Sequence, residues 1–207
     1  NISKFLLIDA ALVIASIPVV FLIQGGNKKS YILRASDKKY WLKKTSIKLP
    51  GKEKLLELEK IAKTQGSGIG LNSLFGNWKF ISVWKKDSDD ENSIFSSLLR
   101  VFSANLEFRR DISSDFPFVF SIITSIQFGL ISIKFSGEGY LKEEQPLLHF
   151  FFNLIELKLG SNILLTRSIN KPVEKEKSFF ELIALDESNR WLSARIKGGS
   201  LILWLKE

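Results

Sequence analysis

With 207 residues, 45% apolar and 25% charged, the chain is long and apolar enough to bury a core without covalent staples. It has no cysteine, which excludes disulfides, thiolate nucleophiles and cysteine-ligated metals, and His149 is its one histidine, which excludes a polyhistidine metal site. The net charge of +8 lies wholly between residues 27 and 63, where twelve Lys and Arg stand against four acids, while residues 64–207 carry seventeen of each sign.

Residues 5–23 form an apolar stretch broken only by Asp9, Ser16 and Pro18. Its length falls within the roughly 17–25 residues of a spanning helix, and a membrane anchor is the expected reading. A buried hydrophobic element and an export signal are the alternatives, and the second is disfavoured because the basic cluster follows the apolar run instead of preceding it. The chain has no Met and begins at Asn1, from which we expect a processed or truncated product with its true start upstream. By the positive-inside rule the residues after the stretch belong on the cytoplasmic or stromal side.

Lys28, Lys29, Arg34, Lys38, Lys39, Lys43 and Lys44 are expected at an anionic membrane surface. Tyr31, Tyr40 and Trp41 among these charges also raise nucleic acid, but the balanced charge of the rest leaves no basic sheet face, so no nucleic-acid partner is expected. Residues 52–63 place Leu55, Leu56, Leu58 and Ile61 among Lys and Glu and predict a short amphipathic helix. The run Gly66-Ser67-Gly68-Ile69-Gly70 follows a helix and lacks the Lys-Ser/Thr of a phosphate loop, so it reads as a hinge.

From Trp78 the period changes to two. Strands are predicted over 78–84, 102–109, 116–128, 130–136, 147–159, 163–168, 179–185, 191–196 and 200–205, separated by turn signals that include Gly137-Glu138-Gly139. On the first strand Trp78, Phe80, Ser82 and Trp84 share one face. Hairpin-sized gaps with no helical pattern between strands predict a mainly β fold, an antiparallel barrel or sandwich preceded by the N-terminal hydrophobic helix and the amphipathic one. The expected organisation is a hydrophobic segment at 1–26, a basic linker at 27–70 and a β domain at 71–207.

Few residues suggest chemistry. The acidic group Asp87, Asp89, Asp90 and Glu91 lacks the glycine and glutamate spacing of a calcium loop. His149 shares its strand face with Phe151 and Asn153 and has no assignable nucleophile or acid, so no catalytic residue, metal or cofactor is expected. Phe is the abundant aromatic, 17 residues against three Tyr, which implies a dry interior. The candidate apolar cavity is lined by Trp78, Phe80, Trp84, Phe102, Phe108, Phe135, Phe150 and Phe152, with Glu107 and Arg195 as candidate polar contacts for a hydrophobic guest.

The segments Leu74-Phe75-Gly76-Asn77-Trp78-Lys79-Phe80, Ile133-Lys134-Phe135-Ser136-Gly137, Leu185-Asp186-Glu187, Leu192-Ser193-Ala194-Arg195 and Gly198-Gly199-Ser200-Leu201-Ile202-Leu203-Trp204 resemble, in order, motifs of the plastid lipid-associated protein (fibrillin) family of chloroplasts and cyanobacteria. Ser82 and Ala184 stand where that family has Tyr. The resemblance covers roughly residues 52–207 and implies a lipocalin-like β-barrel at photosynthetic membranes, on the cytoplasmic or stromal face of a thylakoid, binding prenylquinones, carotenoids or other lipids. It brings no catalytic residues. The alternatives are a structural or assembly subunit of a membrane protein complex and a lipocalin-like chromophore lyase.

Overall fold

A nine-stranded antiparallel sheet dominates the computed structural model, which describes residues 47–86, 90–111, 119–141, 146–174 and 177–207. The apolar stretch 5–23, the seven basic residues from Lys28 to Lys44, and Asp87 and Asp89 lie outside the described residues. Among those described, no helix is long and apolar enough to cross a membrane.

The strands are β1 (Gly76–Trp84), β2 (Asn105–Arg110), β3 (Val119–Phe128), β4 (Ile131–Leu141), β5 (Leu147–Leu159), β6 (Asn162–Ser168), β7 (Ser178–Leu185), β8 (Trp191–Ile196) and β9 (Leu201–Lys206). Hydrogen-bonded neighbours run β4-β3-β2-β1-β9-β8-β7-β5, and β4 also pairs with β5, so the ladder returns on itself as a ring. Along its edge away from β4, the thirteen-residue β5 serves two partners: its first part pairs with β7, and from Leu154 onward it pairs with β6, which lies outside the ring. The antiparallel β fold expected from the alternation is what forms.

Two mid-strand glycines let the neighbours of β4 close in on it. A side chain at Gly137 would sit 1.8 Å from the Phe151 carbonyl oxygen, where a bulge at Asn153 brings the β5 backbone in. At Gly139 a Cβ would meet the Phe120 ring at 2.5 Å, because that ring reaches over its register partner on β4. The glycines that look like a turn in the sequence therefore lie inside β4, where close backbone and ring approach requires them.

Three helices accompany the sheet: α1 (Lys52–Gln65), α2 (Leu71–Leu74) and α3 (Ser93–Val101). The sequence predicts α1, but its buried face is Leu55, Glu59 and Ala62, with Ile61 turned to solvent. This phase lays Leu55 and the partly buried Leu58 against Trp84, Ile183, Leu201 and Leu203 on the outside of β1, β7 and β9. The helix ends at Gly66, whose φ of 81° only glycine adopts cheaply.

Helix α3 corrects two expectations: a helix does stand between the first two strands, and the strand expected from residue 102 begins at Asn105. Asn92 caps it, its side chain accepting from the Phe95 N–H. Its Ser96 hydroxyl accepts the Val83 N–H at 2.9 Å, and the buried Arg100 guanidinium donates to the Ile81 carbonyl. β2 pairs with β1 only as far as Lys79, so α3 satisfies backbone groups on the edge of β1 that β2 leaves open, next to the bulge at Ile81.

Candidate functional site

The interior of the ring is built from alternate residues of its strands. Trp78 and Phe80 on β1, Leu106 and Phe108 on β2, Phe120 and Ile122 on β3, and Phe135 on β4 turn inward. Leu148, Phe150 and Phe152 of β5, Phe180 of β7 and Trp204 of β9 complete the cluster. Rings meet in tilted or edge contacts, Phe80 with Trp204 at 5.3 Å, Phe180 with Trp204 at 5.5 Å and Phe150 with Phe180 at 4.6 Å.

Of the eight residues expected to line this space, the structure gathers Trp78, Phe80, Phe108, Phe135, Phe150 and Phe152 in one cluster. Trp84 and Phe102 are elsewhere. The Ile81 bulge shifts the phase of β1, so Val83 points inward while Ser82 and Trp84 pair with the outward Leu203 and Leu201, and Trp84 packs beneath α1. Phe102 follows the last turn of α3 and packs its ring against Phe128 at 5.7 Å. Alternation alone cannot show either displacement, because an inserted residue inverts every face after it.

The two polar contacts expected in the cavity face the other way. Glu107 lies between the inward Leu106 and Phe108 and is engaged by Arg109 on the outside. Arg195 lies between the inward Ala194 and Ile196 and is bound by Glu59 of α1. Glu156 is also external, where it takes up Lys134 and Lys158. His149 lies on the outer face of β5, stacked on Tyr140 at 5.1 Å beside Phe179.

Two buried side-chain polar atoms have no partner among the described residues, Ser82 Oγ on the outward face of β1 and Trp204 Nε1 inside the ring. Trp204 is fully buried, and its indole N–H has no acceptor among the described residues. The equally buried Trp78, in contrast, donates to the Leu74 carbonyl at 2.7 Å. The nearest rings to Trp204 are Phe80 and Phe180, which offer no acceptor. The sequence marks Trp204 as a strand residue but gives no signal that its donor is left over, since that depends on what stands across the ring.

The fold and its interior thus define a class, an antiparallel ring of strands around a dry aromatic core with one orphaned donor. Among the described residues no group of acids and histidine could hold a metal ion. No protein-family model and no curated protein matches the chain.

Proposed function

We propose that this chain is a membrane-associated binding or carrier protein for hydrophobic small molecules, a prenylquinone, carotenoid or other lipid of photosynthetic membranes, held inside a lipocalin-like β-barrel. The observation that carries the reading is the Trp204 N–H, a donor among aromatic rings that has no partner among the described residues. An unsatisfied buried donor costs about 1–3 kcal/mol, and a carbonyl on an otherwise apolar guest would remove that cost. A buried water normally needs two to four polar partners, so it fits a site with one donor and phenyl walls less well.

An assembly subunit of a membrane protein complex is the second reading, and the direct ring-to-ring packing of Phe80, Phe150, Phe180 and Trp204 favours it, since a core filled by its own side chains leaves the surface to do the work. A chromophore lyase would need acid and cation converging inside, and the outward placement of Glu107, Arg109 and Arg195 weighs against that.

The test is to purify the full chain from its native membranes, extract it with organic solvent and identify what co-elutes. Recovery of a quinone, carotenoid or lipid in near-stoichiometric amount is expected. Nothing above a mock preparation would refute the carrier reading and leave the assembly role.

A further inference from the structure

The β5–β6 hairpin has an unusual surface. All seven residues of β6 are exposed, and among the described residues the strand pairs with β5 alone. Leu130, Ile131, Leu159, Ile163, Leu164 and Leu165 are each between 43% and 71% exposed. They form one patch, because Ile131 is the register partner of Leu159, the Gly160 N–H donates to the Leu130 carbonyl, and Leu165 lies opposite Leu157. A bulge at Leu164 puts Leu165 on the side of Leu157 and Ile163 on the side of Lys158, so both faces of the hairpin are apolar.

The charges around this patch have one dominant sign. Across residues 126–134 and 156–173 there are four cations, Lys134, Lys158, Arg167 and Lys171, and one acid, Glu156. A second copy pairing along the open β6 edge would bring together two surfaces with the same excess of cations, which disfavours self-association. An apolar tip with Lys134 and Arg167 behind it matches the layering of a lipid interface, acyl chains below and anionic headgroups above.

We propose that the β5–β6 hairpin and the β3–β4 turn form the surface by which this protein docks on an anionic lipid bilayer. Leu130 and Leu164 enter the acyl region, Lys158, which stands opposite Ile163 within the patch, reaches its ammonium back to the headgroups, and Arg167 lies at the headgroups. The proposal rests on the membrane-associated part of the functional reading and not on the guest, so an empty lipid extract leaves it standing, and a failure of this surface leaves the interior guest standing.

The absence of cysteine makes the test clean. Single variants Leu130→Cys, Leu164→Cys and Glu187→Cys of the full chain carry an environment-sensitive nitrobenzoxadiazole label, and vesicles of phosphatidylcholine with or without phosphatidylglycerol are added. On the anionic vesicles, fluorescence at 130 and 164 is expected to rise at least ~2-fold, shift to the blue and be quenched by nitroxides on the acyl chains, with no change at 187 in the β7–β8 turn. Adding Lys158→Glu and Arg167→Glu is expected to weaken the response about tenfold or more. The proposal is overturned if the chain does not sediment with vesicles, or if it does so while the label at 164 stays unshifted and unquenched. It is also overturned if that label is already shielded from iodide without vesicles, which assigns the patch to another part of the chain, or to a second copy when sedimentation velocity shows a dimer.

Discussion

Glu59 of α1 and Arg195 of β8 meet in a two-pronged ion pair, Nε donating to Oε1 at 2.6 Å and Nη2 to Oε2 at 2.5 Å. Lys63, one turn further along α1, reaches the same carboxylate at 3.0 Å, and the remaining arm of Arg195 donates to the Gly199 carbonyl. The pair is why a glutamate stands at the centre of the buried face of α1 between Leu55 and Ala62. It joins the helix to the β8–β9 turn, on the outside of the ring.

Stability should therefore depend on the charge of Glu59. The hydrogen bond from Arg195 holds its carboxyl below the ordinary 4.5, against the opposing pull of desolvation. A depressed folded-state pKa contributes stability that is present above about 4.5 and lost as pH falls through the lower folded value. Glu59→Gln is expected to cost about 1–3 kcal/mol at pH 7, with the gap from the parent closing as pH falls below 4. Urea midpoints measured from pH 7 to 3 check this, and a gap that stays constant would contradict it.

The crossing of Phe120 over Gly139 predicts a steric coupling. Gly139→Ala would place a methyl 2.5 Å from the ring and cost about 1–3 kcal/mol by overpacking. Trimming the ring with Phe120→Leu should recover part of that loss, with a coupling energy above about 0.5 kcal/mol in a double-mutant cycle by chemical denaturation. Gly137→Ala should be worse than Gly139→Ala, because the atom it meets belongs to the β5 backbone.

Trp204→Phe separates packing from ligand capture. Removing the orphaned N–H offsets the loss of the larger ring, so the stability of ligand-free protein should change by less than about 2 kcal/mol. Retention of a carbonyl-bearing guest through purification should fall several-fold. Equal recovery of bound lipid from parent and variant would detach Trp204 from binding.

Tyr140 should titrate late. Burial, and then the acceptor Glu174, push its phenol up to about 12. Because the neutral phenol is favoured in the folded state, stability is expected to fall as pH rises from about 10 to 12. Alkaline difference absorbance should show a final phase that Tyr140→Phe abolishes, and that Glu174→Gln lowers without returning to 10, since burial remains. A profile unchanged in Tyr140→Phe would rule this out.

The local chemistry of the chain determined the β architecture. Alternating Phe and Leu from Trp78 onward, punctuated by Gly160-Ser161-Asn162, Asp186 to Asn189 and Gly198-Gly199, placed most strands to within a residue or two, because side-chain alternation and turn preference act over a few neighbours. The same pattern identified six residues of the inner wall. Only the tertiary structure decided the rest. Bulges at Ile81, Asn153 and Leu164 reset the face of everything beyond them, sending Trp84 outward and making β6 apolar on both sides. Whether a glycine turns the chain or lets another strand close in, as at Gly137, depends on what lies across it, and so does whether Arg195 finds a guest or Glu59, and Trp204 an acceptor or none. Those are contacts between residues far apart in sequence, which local periodicity does not encode.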